Sequence, residues 1–203
     1  MNGGYDAGYR ACPCFWGKKP GTLVTALASE IKDRTHLSVL DVGCGEGKNA
    51  VYLASLGCRV RALDISEFAL ENAKTAWNGT SSVSWEIGDV RELQLNTNEY
   101  DVVVAYGLLH CLNTVEEIDS TVQRFQLATR SGGYNIVCAF NLRYQELHAH
   151  PGLNPCLVAH EHYLALYEGW QLILATDSDL IESHPHNLIE HRHSLTRILA
   201  RKP

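Results

Sequence analysis

The feature that most constrains this chain is a regular alternation of short apolar runs with longer stretches of helical period between residues 36 and 141. HLSVLDVG (36–43), CRVRALDI (58–65), VSWEIGDV (83–90), YDVVVAYG (100–107) and SGGYNIVCAFN (131–141) read as strands with their exit loops. GTLVTALASEIKDR (21–34), KNAVYLASLG (48–57), EFALENAKTAW (67–77) and TVEEIDSTVQRFQLA (114–128) read as helices. Pro20, Ser66 and Asn113 mark helix starts, and Gly57 marks a stop. Strands joined through helices pair in parallel, and helices then cover the sheet. The regime changes after residue 141. Residues 142–158 carry turn residues without a clear period, and HEHYLALYEG (160–169) reads as one short helix. WQLILATD (170–177) and HRHSLTRILARKP (191–203) stand too close for a helical crossover, which predicts an antiparallel hairpin closing the sheet.

The stretch VLDVGCGEGKNA (39–50) puts glycines at 43, 45 and 47, between the first strand and a helix. It fails the phosphate-cradling P-loop pattern, because Val42 stands where the first glycine belongs and Asn49 replaces the hydroxyl that holds magnesium. It also fails G-x-G-x-x-G, because Lys48 occupies the third glycine position. Asp41 and Glu46 flank the loop, and two carboxylates would repel a pyrophosphate. These departures argue against an NAD-dependent oxidoreductase and favour a ligand with a cationic group nearby.

The net charge of −6 supplies no electrostatic footprint for nucleic acid or for an anionic membrane. MNGGYDAGYR (1–10) lacks the apolar core of a signal peptide, and no run is long enough to span a bilayer, so the expected location is cytoplasmic. An odd number of cysteines, seven, reads as free thiols in a reducing compartment. Cys12 and Cys14 form a pair without a second pair at zinc-site spacing, and no metal is expected.

In open parallel sheets the ligand lies beyond the carboxyl ends of the strands. Those ends here are Asp41 to Gly45, Asp64-Ile65, Asp89-Val90 and Tyr106-Gly107. Asp64 stands at the distance from Gly43 where an acid accepts from ribose hydroxyls. Asp89 can accept from an adenine amine, and the Val90 amide can donate to a ring nitrogen. An adenosine with a cationic, phosphate-free tail satisfies this set, which points to S-adenosylmethionine (SAM).

With those residues in place, the chain resembles class I SAM-dependent methyltransferases. VLDVGCGEG, ALDIS (62–66), GDV (88–90), YDVVVAYGLLHCL (100–112) and SGGYNIVCAFN are similar to that family's motifs I to V in order. FWGKKP (15–20), GGYNIV (132–137), YEGW (167–170) and ILARKP (198–203) extend the likeness to the small tellurite-resistance (TehB-like) methyltransferases. The resemblance implies an α/β fold: a Rossmann-like three-layer sandwich around a mostly parallel seven-stranded sheet, closed by the antiparallel hairpin. It implies one domain over 1–203, with residues 1–20 as a lid and 142–169 as an insertion on the acceptor side. SAM is the implied cofactor, with Trp16, Asp41, Gly43, Cys44, Gly45, Asn49, Asp64, Ile65, Asp89, Val90 and Tyr106 around it.

The acceptor side is read from aromatic and histidine content. Tyr106, Phe140, Tyr163 and Arg192 are candidate acceptor-binding residues, and His110, His191 and His193 are candidate bases. The family's His-Arg pair after the YEGW helix is not matched in place. Ile181-Glu182 stands near it, and His191-Arg192-His193 follows. Histidines also pair at 148/150, 160/162 and 184/186. On a strand, His191 and His193 share a face opposite Arg192. A small acceptor is expected, whether a thiol, a chalcogen oxyanion, an amine or another heteroatom. The expected assembly is a monomer or homodimer without nucleic-acid or membrane partners. The competing reading is a non-catalytic or detoxifying metal- or metalloid-binding protein built on the His- and Cys-rich C-terminal half.

Overall fold

The computed structural model describes residues 4–31, 33–150, 152–184 and 188–203. Its sheet contains β1 (Ser38–Val42), β2 (Arg59–Asp64), β3 (Val83–Ile87), β4 (Tyr100–Tyr106), β5 (Thr129–Gln145), β6 (Gln171–Glu182) and β7 (His191–Arg201), in the order β3-β2-β1-β4-β5-β7-β6. β1 to β5 run parallel, and β7 lies antiparallel between β5 and β6. The expected fold class, with its closing hairpin, is therefore what the chain adopts.

Alternation along each central strand sends neighbours to opposite faces. Val39, Val102, Val104 and Ile136 pack with Leu23, Leu27, Leu53 and Leu70. Those partners come from α2 (Thr22–Glu30), α3 (Lys48–Ser55) and α4 (Glu67–Ala76). Leu40, Val42, Val103 and Val137 pack on the other side with Ile118, Val122, Phe125 and Tyr163, from α5 (Val115–Ala128) and α6 (His160–Leu166). Both faces are covered, which explains why β1 and β4 read as continuous apolar runs rather than alternating ones.

Some boundaries differ from expectation. α5 is capped by Thr114, whose side chain accepts from the Glu117 N–H at 3.2 Å, and not by Asn113. The Glu117 carboxylate reaches back to the Asn113 N–H at 3.0 Å, so Asn113 stands just outside the cap. A short helix, α1 (Asp6–Ala11), forms in the N-terminal segment, where no element was expected. α2 stops at Glu30 because Ile31 turns extended. β5 and β6 run past their expected ends because β7 pairs with both. Gln145 stands opposite His193, and Glu182 opposite His191. Pairing across the sheet overrides the weak strand signal of these polar tails.

Candidate active site and cofactor cleft

A cavity of about 430 Å³ opens at the carboxyl ends of β1, β2 and β4. The glycine loop forms one wall, with Gly43, Gly45 and Gly47 at φ of 66°, 53° and 79°. That left-handed backbone is costly for any residue with a Cβ. Space adds a second reason at Gly45, where a Cβ would stand 3.0 Å from the Tyr9 hydroxyl. The loop is stitched to the end of β2. The Gly43 and Cys44 N–H groups donate to the Leu63 carbonyl at 2.8 and 3.0 Å. The Gly45 N–H donates to Asp64 Oδ2 at 2.7 Å, and the Ser66 N–H to Oδ1 at 2.9 Å. Loop amides that a phosphate would require are thus already engaged by protein acceptors, while Asp64 faces the cleft.

Asp64 is buried, and its pKa is raised, first by desolvation and partly offset by those two amides. Ile65, Cys44, Asn49, Asp89 and Val90 line the cavity with it, as do Trp16 and Tyr106. Asp89 is not idle: Arg91 grips its carboxylate from Nε, Nη2 and the backbone, and holds its pKa below the ordinary value. An amine approaching Asp89 shares that carboxylate with the guanidinium. Asn49 accepts from the Gly21 N–H at 2.8 Å, so it also positions the start of α2.

Asp41 departs from the sequence expectation of direct ligand contact. It is buried behind the loop and is not among the cavity's lining residues. Neither carboxylate oxygen meets a donor at hydrogen-bonding geometry among the described residues. Burial, reinforced by Asp64, lifts its pKa to about 7.

The N-terminal segment closes over this wall. Cys14 N–H donates to Glu46 Oε1 at 2.6 Å, Lys48 Nζ to the Trp16 carbonyl at 2.9 Å and Asn72 to the Tyr9 carbonyl at 2.8 Å. The Ser66 hydroxyl donates to Asp6 at 2.5 Å, which ties α1 to the start of α4. Tyr5, Tyr9 and Trp16 thereby face the cavity, with the Trp16 indole N–H donating to the Tyr9 hydroxyl at 3.2 Å.

Among the candidate acceptor residues, Tyr106, His110 and Phe140 line the cavity, and Lys48, Cys138, Glu182 and Arg197 line it with them. Lys48 and Arg197 were missed because each sits in an ordinary amphipathic pattern. The glycine loop brings Lys48 to the cleft at the start of α3, and the register of β7 brings Arg197 there. His110 lies in the 3-10 turn Leu109–Cys111. Its Nδ1 accepts from the Phe140 N–H at 3.2 Å, which puts the proton on Nε2, 3.4 Å from the Tyr5 hydroxyl. Burial holds its pKa down to about 3. A base needs an available lone pair, and this one is taken, so His110 suits a neutral donor and not the expected base.

Other candidates fall elsewhere. Tyr163, on α6, is wholly buried in the core and does not line the cavity. Arg192 is on the outer face of β7, paired with Asp179 and lying 5.2 Å from the Tyr144 ring. No described residue of 142–169 lines the cavity, so that segment does not build its wall. His191 and His193 share a buried face, as alternation predicts, but they lie behind Phe140. Their Nε2 atoms turn to His150 at 3.0 and 3.1 Å and not to the cleft, so neither is placed as a base. Of the pair His184/His186, His186 lies outside the described residues. All the cysteines are free thiols, and none joins a cluster of metal-ligating side chains among the described residues.

The glycine loop, the acid ending β2 and the sheet order are together similar to those of the SAM-dependent methyltransferases. Residues 39–133 match the family model described as "Methyltransferase domain". The likeness includes TehB. The chain is 30% identical over 121 residues to the probable SAM-dependent methyltransferase TehB of Haemophilus influenzae (strain 10810), covering 57% of this chain and 42% of that protein. It is 34% identical over 106 residues to the ubiquinone biosynthesis O-methyltransferase of Rickettsia felis, covering 52% of this chain and 40% of that protein. The matches thus span less than half the length of these curated relatives. The crystal structure of TehB from Haemophilus influenzae superposes with a TM-score of 0.72 at 24% identity, over 89% of this chain and 61% of that one. The fold is also that of a magnesium protoporphyrin IX methyltransferase from Synechocystis solved with bound SAM, at a TM-score of 0.63 and 16% identity, over 98% of this chain and 80% of that one. The purely metal-binding reading is not favoured by these likenesses. No helix among the described residues is long and apolar enough to cross a membrane.

Proposed function

We propose that the chain transfers a methyl group from SAM to a small-molecule acceptor held in the cleft beside Tyr106 and Phe140. The observation that carries this reading is Asp64. It lies in the cleft with its carboxylate held by two backbone amides, leaving acceptor capacity toward the cavity. The residues present fit SAM. The cavity has drug-sized volume, and a buried carboxyl, Asp41, lies behind the glycine loop, where a cationic ligand would favour its ionised form. Asp64 would hold the ribose, Asp89 and Val90 the adenine edge, and Ile65 its face.

When bound, SAM supplies a methyl group on a positively charged sulfur, transferred to the acceptor in one in-line displacement. The chain's part is alignment and exclusion of water. Trp16, Tyr5 and Tyr9 act as the lid that keeps water out. Tyr106 and Phe140 shape the acceptor side, and the His110 Nε2–H orients polar groups there. Lys48 and Arg197 add positive charge near Glu182, which suits an acceptor that carries or develops negative charge, such as a thiolate or an oxyanion. Such a nucleophile needs no strong base, consistent with His110 keeping its lone pair on the Phe140 amide.

The test is S-adenosylhomocysteine release from SAM in the presence of small thiols, chalcogen oxyanions and amines. Acceptor-dependent release is expected, together with micromolar SAM binding and no NAD binding by calorimetry. Tight NAD binding without SAM binding would overturn the reading.

A further inference from the structure

Behind Phe140, side chains from three separate segments converge. The Nε2 atom of His150 lies 3.0 Å from that of His191 and 3.1 Å from that of His193. A Glu182 carboxylate oxygen lies 3.9 Å from His191 Nε2. One ligand atom from each of His150, Glu182, His191 and His193 falls within 4.8 Å of all the others. His184 lies beside them, with its Nε2 3.4 Å from that of His150.

The outer nitrogens fix the tautomer of each neutral ring. His191 Nδ1 faces the Ile189 carbonyl at 2.7 Å and must donate to it. Gln145 spends its amide NH₂ on the Asn141 and Ser194 carbonyls, both at 2.8 Å. Its oxygen is therefore what faces His193 Nδ1 at 2.7 Å, so that nitrogen also donates. A neutral imidazole carries one N–H. With both rings neutral, the Nε2 atoms of His191 and His193 carry lone pairs, and both point at His150. His150 has one Nε2 and can offer a single N–H between two acceptors. Both acceptor rings are buried, at 1% and 0% exposure, beyond the reach of bulk water. Converging buried lone pairs repel unless something electrophilic lies between them.

We infer that His150, His191 and His193, through Nε2, and Glu182, through its carboxylate, form a binding site for a divalent first-row transition-metal ion. The donor set of imidazoles with one carboxylate suits zinc first, with iron(II), cobalt(II) and nickel(II) as chemical neighbours. The outer hydrogen bonds are what such a site uses to fix ring orientation: a backbone carbonyl behind His191 and a locked glutamine oxygen behind His193. Metal–nitrogen bonds of about 2.0–2.1 Å in a tetrahedron put the nitrogens about 3.4 Å apart, so the ion spreads the trio by a few tenths of an ångström.

The site adjoins the cleft but is separate from the SAM wall. Glu182 lines the cavity on one side and meets His191 on the other. The His150 ring lies near-parallel to Trp16, at 6.2 Å, so the ion would also tie the lid to the ends of β6 and β7.

The experiment is metal binding by the intact chain, and it needs no acceptor. Protein stripped by a chelator is titrated with Zn²⁺ by calorimetry and with Co²⁺ by visible absorption. One ion per chain at micromolar or tighter affinity is expected, with a cobalt spectrum of nitrogen and oxygen ligands and a metal-dependent rise in melting temperature. His193→Ala should weaken binding about 100-fold or more. Gln145→Ala, which removes the partner behind His193 but no metal ligand, should weaken it about 10–100-fold. Gln145→Ala also keeps the test open if the histidine variant does not fold. His162→Ala, at the half-exposed pair with Asp119, should change nothing. Absence of saturable binding, binding indifferent to both His193→Ala and Gln145→Ala, or a thiolate charge-transfer band from cobalt would each overturn the site.

Discussion

The two halves of the sheet carry their chemistry in different ways. In the half built from β1 to β4, each cleft residue sits where a strand runs out, and the loops that hold it are local. Gly43 and Gly45 follow β1, Asp64 ends β2, and Asp89 closely follows β3. In the half built from β5 to β7, the converging side chains come from positions 145, 150, 182, 191 and 193, and an antiparallel register brings them together. A parallel half places groups through its connection rule. An antiparallel half places them through pairing between distant tails, which local pattern does not reveal.

The largest expected effect tests whether the first half holds its charge by burial. Asp41 rises from an ordinary 3.8 to about 7, first because of desolvation and then because of Asp64. A carboxyl raised this way costs nothing while protonated in both states and costs stability once ionised. The folded chain therefore loses stability as pH rises from about 4 through about 7, and the loss is complete above that. At three pH units the cost is about 4 kcal/mol at most. Asp41→Asn in the cofactor-free chain should recover a substantial part of it at pH 8 and nothing at pH 4, read by denaturant unfolding. Equal effects at both pH values would show that Asp41 is not ionised against burial.

Next in size is Asp64→Ala. Two charge-assisted hydrogen bonds to ribose hydroxyls are each worth about 1.5–3 kcal/mol. SAM affinity should fall about tenfold to several hundredfold. The melting temperature should also drop, because the Gly45 and Ser66 amides lose their acceptor. A folded variant with unchanged SAM affinity would place the ribose elsewhere.

Much of this half was legible beforehand, for a physical reason. Parallel strands buried on both faces give long apolar runs, glycines mark positive φ, and ligands collect at strand ends. The order of motifs followed from these facts. Asp41 was misjudged because sequence spacing gives position along the strand but not the depth of a side chain behind a loop. The other half was less legible. His191 and His193 were placed on one face, but their partner was hidden in a turn, and Gln145 looked like an unremarkable polar tail. Tyr163 read as an aromatic of the acceptor wall, and the packing of α6 against α5 made it core. The N-terminal helix was missed because six residues, Asp6–Ala11, give too few turns for a period to show.

Gly45→Ala should come next, at about 1–3 kcal/mol. Its φ of 53° and the 3.0 Å approach to the Tyr9 hydroxyl penalise a Cβ together. Because the strain falls on both the loop and the N-terminal segment, SAM affinity should fall about tenfold or more, while metal binding at the start of β7, which reaches that segment only through ring contacts, should change far less. Parallel loss of both would mean that the two halves are coupled, and the contrast drawn above would fail.

The smallest effect belongs to Arg192, and it decides how the second half is oriented. The guanidinium lies on the outer face of β7, paired with Asp179 and set over Tyr144. Its backbone N–H bonds to Glu146 at 2.6 Å, a contact that any side chain but proline preserves. An exposed ion pair contributes about 0–1 kcal/mol because water screens it. Arg192→Ala should therefore shift stability by no more than that, leave SAM affinity intact, and leave turnover with a responsive acceptor unchanged. His191 and His193 point the opposite way along the same strand. Strand alternation permits only one of the two sets to face inward. Loss of turnover in Arg192→Ala, with SAM affinity retained, would mean that the working chain presents the arginine to an anionic acceptor. The inward histidine cluster would then be incompatible with the same register.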